Sequence, residues 1–212
     1  MRLLAGRPLI AHSIEQARQS GLFDVIAVGS DSDEILAAAT THGADYAVKR
    51  PAEMATDRAA KLPAIRHCVS EVERMTGYRF DTLVDLDATS PLRVAADICQ
   101  SVVQFEASGG ENLITAMPSR RSPYFNMVEL IQDGRVGLVK ALPDKVLRRQ
   151  DAPKTYDMNA SIYIWRRDAL FDNESLFLET TQLYVMPEER SIDIDSELDF
   201  AFVEFLFQHR EG

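Results

Sequence analysis

Val84-Asp85-Leu86-Asp87-Ala88-Thr89-Ser90-Pro91-Leu92-Arg93 is the stretch whose reading decides the fold. Thr82, Leu83, Val84 and Leu86 make an apolar, β-prone run that predicts a strand, and the run ends in two carboxylates. A turn follows, in which Ser90 suits a helix N-cap and Pro91 the first helical position. In an open α/β sheet the carboxyl ends of the strands face the ligand crevice. Two acids at such an end have two readings. Either a strand end simply takes polar residues there, or the pair holds a hard cation against a phosphate.

Upstream, Leu9, Ile10, Ser13, Ile14 and Ala17 form a helical stripe that Gly21 ends. Val25 to Gly29 predicts a strand, Ile35 to Thr41 a helix, and Asp45 to Val48 another strand. This alternation predicts right-handed crossovers onto a parallel sheet. Lys49 to Arg58 is a charged loop at a strand end, suited to a phosphate or to plain solvation, and Lys61 to Met75 is a helix. Downstream come a helix over Ala95 to Phe105 and a strand over Asn112 to Met117. Val128 to Val139 reads as a hairpin turning at Asp133-Gly134. An isolated hairpin is marginal in water, so it wants a partner surface, and a second subunit is one candidate. Tyr156 to Trp165 is a strand with Asn159 inside it, which is a bulge device or a ligand contact. A short helix over Arg166 to Phe171 and a strand over Gln182 to Met186 follow. Ser191 to Asp195 alternates strictly, placing Asp193 and Asp195 on one face, and Glu197 to Gln208 is the closing helix.

The totals limit the function. The 212 residues suit one domain, and a formal net charge of -10 argues against a nucleic-acid or anionic-membrane partner. A nucleotide needs only a local basic patch and stays open. Cys68 and Cys99 sit in apolar helical patterns, so free thiols and a reducing cytoplasm are expected. No apolar run is long enough for a membrane helix, and no basic-then-apolar leader follows Met1. There is no Gly-rich phosphate loop, no CxxC pair, no metal spacing among the four histidines and no nucleophile elbow. What remains is two acidic pairs, Asp85/Asp87 and Asp193/Asp195, and the cations Lys49, Arg50, Arg58, Arg93, Arg148, Arg149 and Lys154. Nucleotidyl transfer needs both kinds of group: carboxylates to hold Mg²⁺ on phosphate, and arginines to position the triphosphate.

Four stretches resemble the acylneuraminate cytidylyltransferase family, the CMP-sialic-acid synthetases. They are Gly6 to Ile14, Arg50 to Asp57, Ala88 to Arg93, and Arg149 to Lys154 with Asn159 and Ile192 to Asp195. The resemblance implies an α/β fold, a Rossmann-like three-layer mixed sheet of the nucleotide-diphospho-sugar transferase type. It implies one domain over 1–212, with a segment of about 118–147 inserted for dimerisation, and hence a homodimer. It implies reaction of CTP with a nonulosonic acid and Mg²⁺, giving the CMP-sugar and pyrophosphate.

By the same resemblance Asp87 and Asp195 are the catalytic residues. Arg50, Thr56, Asp57 and Lys61 would bind nucleotide. Asp87, Arg93, Arg149, Gln150, Tyr156 and Asn159 would bind the sugar, and Asp87, Asp193 and Asp195 the metal. Asp87 and Ala88 stand where sialic-acid members carry Gln and Pro. That departure, with Ala60 to His67 and Met158 to Tyr163, resembles the legionaminic-acid branch. The family's opening strand and basic ARGGSK-type loop have no counterpart in these residues. The alternative reading is therefore an inactive homologue that binds nucleotide or acidic sugar, or only dimerises. Open strand edges, with poor solubility or activity, are the expectation for these 212 residues.

Overall fold

Aliphatic and β-branched side chains in alternation make Thr82–Leu86 a strand (β5), and the rest of the chain is built on both sides of it. The structure, a computed structural model, describes residues 2–51, 54, 61–143 and 148–209. Thr56, Asp57 and Arg58 fall outside the described residues.

The chain opens with a hairpin of two short strands, β1 (Leu3–Leu4) and β2 (Arg7–Pro8). Its turn residues Ala5 and Gly6 both have positive φ, 48° and 74°, as a two-residue turn of this hand requires. α1 (Leu9–Ser20) ends on Gly21 in the left-handed region, where a glycine costs least. β3 (Ala27–Ser30), α2 (Asp33–Thr41) and β4 (Tyr46–Lys49) follow, with the Ser32 side chain accepting from the Ile35 N–H to cap α2. Next come α3 (Lys61–Thr76), β5, α4 (Ala95–Ser108) and β6 (Asn112–Pro118). A hairpin of β7 (Val128–Leu130) and β8 (Val136–Leu138) turns at Gln132–Gly134. The chain closes with β9 (Tyr156–Arg166), α5 (Arg167–Asp172), β10 (Gln182–Val185) and α6 (Glu197–Gln208).

β10, β6, β9 and β5 form one sheet in that order, and β3 pairs with β4 in another. β3–β4 and β10–β6 are parallel, as the helix–strand alternation predicts. β9 departs from that expectation by running antiparallel to both β6 and β5, so the sheet is mixed. Each side of it carries its own core, because successive side chains on a strand point to opposite faces. Ile162 and Ile164 pack with Ile98, Phe105 and Leu113 on the α4 side. Tyr163 and Trp165 pack with Leu62, Ile114 and Leu170 on the α3 and α5 side. No helix among the described residues is long and apolar enough to cross a membrane.

Two local expectations are corrected. Ser90 and Pro91 do not open a helix, because the Ser90 hydroxyl is used elsewhere, donating to the Asn159 carbonyl at 3.1 Å. α4 instead begins at Ala95, where the Asp97 carboxylate accepts from the Val94 N–H at 3.0 Å. Ser191 to Asp195 is not a strand, although its alternation is real. Ile192 and Ile194 pack against Leu4, Leu92 and Val203, and the Ile194 N–H bonds the Thr89 carbonyl at 2.9 Å rather than a neighbouring strand.

A cleft of about 740 Å³ lies between β3 and β5, with Ile14 and Ala17 of α1 and Ile65, Cys68 and Val69 of α3 among its walls. Asp87 N–H bonds Ser161 and Arg167 N–H bonds Asp81, so the odd-numbered backbone groups of this strand turn toward β9. The even-numbered ones, at Thr82, Val84 and Leu86, therefore turn to the cleft. Among the described residues no strand pairing joins β3 to β5.

Candidate active site

The antiparallel pairing makes β5 and β6 parallel to each other, and β10 runs with β6. Their carboxyl ends share one side of the sheet. The loop after β5 carries Asp87, and the strap after β10 carries Asp193 and Asp195. This is where an α/β sheet presents ligand sites.

Asp85 and Asp87, two residues apart, share the face of β5 on which Tyr163 stands opposite Asp85. Lys61, the first residue of α3, reaches that face. Its Nζ lies 2.9 Å from Asp85, 3.1 Å from Asp87 and 4.1 Å from the centre of the Tyr163 ring. The Thr89 N–H and hydroxyl both donate to the other Asp87 oxygen, at 3.1 and 3.0 Å. Burial opposes the charge on Asp87, but the Lys61 charge and the bonds from Thr89 outweigh it, and the carboxyl is held below its ordinary range. Burial opposes the charge on Lys61 too, and Asp85 and Asp87 outweigh it, so the ammonium is held more firmly than in water. Lys61 and both acids line one end of the cleft together with Arg50.

Asp193 behaves in the opposite way. Burial raises its pKa, and Asp195, Asp199 and Asp87 add like-charge repulsion that its backbone bond does not cancel. Asp193 thus lies near enough to Asp87 to feel its charge, on a strap that bonds Thr89, which in turn bonds Asp87. A raised carboxyl pKa means that the folded state takes up a proton more readily than the unfolded one, so ionised Asp193 weakens the fold at neutral pH. Asp193→Asn is therefore expected to raise the melting temperature at pH 7. The gain should shrink as pH falls through the raised pKa, where Asp193 is already neutral. Thermal unfolding of both proteins between pH 3 and 7 measures this, and a gain that persists undiminished at pH 3 would contradict it.

The expected site residues divide into groups. Asp87, Lys61 and Arg50 line the cleft, and Asp193 and exposed Asp195 lie on the strap that bonds Thr89 beside Asp87. Arg50 is braced there by Asp31 at 2.8 Å. Arg149 and Gln150 lie in an exposed turn, with Arg149 donating to the Ser119 carbonyl at 2.7 Å. Tyr156 pairs with Pro118, the last residue of β6, and so lies on the side of the sheet where the strands' carboxyl ends are.

Two expectations are corrected. Arg93 is fully buried and cannot meet a ligand; it donates to the carbonyls of Asp87, Ser90 and Ser161 and to the Ser13 hydroxyl. Asn159 is 2% exposed and its amide is engaged inside the protein. The reading of the sequence missed Thr89, Ser191 and Tyr163. Only Thr89 had a local signal, since Asp side chains habitually bond the backbone two residues on.

The donor set bears on a metal. Among the described residues no three His, Cys, Asp or Glu side chains converge on one point. Mg²⁺ needs only one or two carboxylates when phosphate oxygens and water supply the rest. Asp87, held ionised in the wall of the cleft, suits an ion that arrives with a nucleotide, and the described residues make no closed protein cage.

The cytidylyltransferase family model matches residues 1–210. The post-translational flagellin modification protein B of Campylobacter coli is 47% identical over 202 residues, covering 95% of this chain and 85% of that protein. The CMP-N,N'-diacetyllegionaminic acid synthase of Campylobacter jejuni is 50% identical over 198 residues, covering 93% of this chain and 83% of that protein. Among solved structures, a CMP:2-keto-3-deoxy-manno-octonic acid synthetase complexed with CTP superimposes with a TM-score of 0.68 at 15% identity, covering 98% of this chain and 90% of that one. That likeness speaks for the fold.

Proposed function

Because the chain belongs to the cytidylyltransferase family, we propose that it transfers the CMP group of CTP to a nonulosonic acid of the legionaminic-acid type and releases pyrophosphate. The observation that supports this substrate is the 50% identity to a CMP-N,N'-diacetyllegionaminic acid synthase over 93% of the chain. In the proposed reaction the sugar's anomeric hydroxyl attacks the α-phosphorus of CTP. A phosphorus–oxygen bond forms to the sugar, the bond to the β-phosphate oxygen breaks, and the hydroxyl proton passes to a carboxylate.

Asp193 is the better acceptor of that proton, because burial and its acidic neighbours raise its pKa while Asp87 is held ionised. Asp87 acts by charge, and Asp195 keeps Asp193 proton-hungry. Lys61 and Arg50 hold the triphosphate at the mouth of the cleft. Mg²⁺, when bound, neutralises phosphate charge and withdraws electrons from the α-phosphorus. Asp87, whose carboxyl is held ionised, is the residue we propose to hold it, with Asp193 left to the proton. The exposed apolar hairpin, with Val128 at 60% and Leu130 at 79% exposure, is the proposed homodimer contact. The cysteines, both free, suit a cytoplasmic setting.

Pyrophosphate release from CTP and Mg²⁺ tests the reading, with N,N'-diacetyllegionaminic acid and N-acetylneuraminic acid supplied in parallel. Faster release with the former is expected. Equal or better use of N-acetylneuraminic acid would overturn the substrate branch, and silence with every nonulosonic acid would overturn the reaction.

A further inference from the structure

The acids of the site repel one another, yet they sit on two segments from different strands. The bonds that join those segments run through the neutral Asn159 and Ser191 side chains and the Ile194–Thr89 backbone pair. We propose that Asn159 is a positioning residue that sets the spacing between the loop after β5 and the strap after β10.

The backbone sets Asn159 in place. The β6–β9 ladder pairs Ile114 with Tyr163 and then Ala116 with Met158, so β9 bulges over the residues between. Within the bulge Ala160 takes a φ of 49°, a left-handed conformation that alanine rarely adopts. The bulge buries the Asn159 side chain beneath the site. There the Thr115 hydroxyl donates to Asn159 Oδ1 at 2.7 Å, and the Ser161 N–H donates to it at 3.3 Å. Asn159 Nδ2 donates to the Ser191 hydroxyl at 3.0 Å and lies 3.3 Å from Met186 Sδ. The backbone carbonyl of Asn159 accepts from Ser90. One residue thus touches β6, the loop that carries Asp87, and the strap that carries Asp193.

The side-chain amide has two acceptor sites and two donors, and all are used. This is why Asn159 is not a sugar ligand, and it also explains the residue type. Asp would put a further negative charge beside the acids and lose both donors, and Leu would lose every bond. Ser191 passes the restraint on by donating to the Pro187 carbonyl at 2.8 Å. On the strap's other flank, Arg190 makes a bidentate pair with Asp97, which is 1% exposed. The strap is therefore pinned at two points just before Asp193.

The proposal rests on the cytidylyltransferase reading only for its effect on turnover. The test is Ser191→Ala in the full chain, which cuts the strap end of the link and leaves the other Asn159 bonds in place. Amide hydrogen exchange is followed at Ile194, whose N–H bonds Thr89, and at Leu113, Ile162 and Ile164 in the sheet. Exchange at Ile194 is expected to quicken about tenfold, with the sheet amides unchanged. Turnover should fall by a similar factor, with KM for CTP within about twofold. Asn159→Leu, which keeps the backbone bond from Ser90, should quicken Ile194 at least as much and leave Thr89 unchanged. Unchanged exchange at Ile194, or equal acceleration at every amide, would overturn the proposal. Quickened exchange at Ile194 in a protein that makes no CMP-sugar would support it and count against the reaction instead.

Discussion

Asp87→Asn is expected to lower turnover about 10²- to 10³-fold, the usual cost of removing one group that stabilises developing charge. The substitution keeps shape and volume, so the packing around Leu86 and Tyr163 is undisturbed. What it removes is the charge that holds Lys61 and the strong acceptor for Thr89. Asp85, 2.9 Å from Nζ, keeps Lys61 near its place. The melting temperature should therefore fall by only about 2–4 °C per kcal/mol of lost pairing, with the loss near 1 kcal/mol for such a partly exposed pair. Steady-state pyrophosphate release and thermal unfolding of the same preparation separate the two effects. If stability and turnover fall together, Asp87 is a turn residue and its placement at the site is incidental.

The largest expected effect on stability belongs to Arg93→Met. The guanidinium is buried among three carbonyls and the Ser13 hydroxyl, and it ties the loop after β5 to α1 and β9. Burial lowers its pKa to about 10, against the pull of Asp87, Asp85 and Asp97, so it stays charged at neutral pH. Met fills similar volume but takes a charged donor from three inward-facing carbonyls and the Ser13 hydroxyl, although those of Asp87 and Ser161 keep other donors, a loss of about 3 kcal/mol and roughly 10 °C in melting temperature. Arg93→Lys should recover less than half of this, because one ammonium cannot reproduce the planar fork. Calorimetry decides the matter, and a melting temperature within about 2 °C of the unaltered protein for Arg93→Met would refute the bracing role.

These two residues also mark how much the sequence made legible. Helices α1, α2, α3, α4 and α6 and strand β5 were readable because periodicity and end signals are local. Asp85 and Asp87 were readable for the same reason, as acids at the end of an apolar run. Arg93 was not: an arginine after Ser-Pro-Leu looks the same whether it faces solvent or is folded back under its own loop. The antiparallel course of β9 was hidden because strand direction depends on which distant strands meet. The N-terminal hairpin was hidden because Ala5 adopts a conformation that favours glycine. The alternation at Ser191 to Asp195 shows the converse error. Alternation reports that one face is covered, not that the cover is a sheet.

The cleft between β3 and β5 has a mechanical meaning. The acids and their frame lie on one hydrogen-bonded plate, made of β5, β9, β6 and β10. Arg50 and its brace Asp31 lie on the other plate, at the ends of β4 and β3. Side-chain packing from α1 and α3 joins the plates across the cleft, where no ladder does among the described residues. A packed joint yields more easily than a ladder, so a change in cleft width moves cation against acid while the spacing of acid to acid is kept. The molecule is stiff where like charges must be held together, and it gives where a ligand must enter.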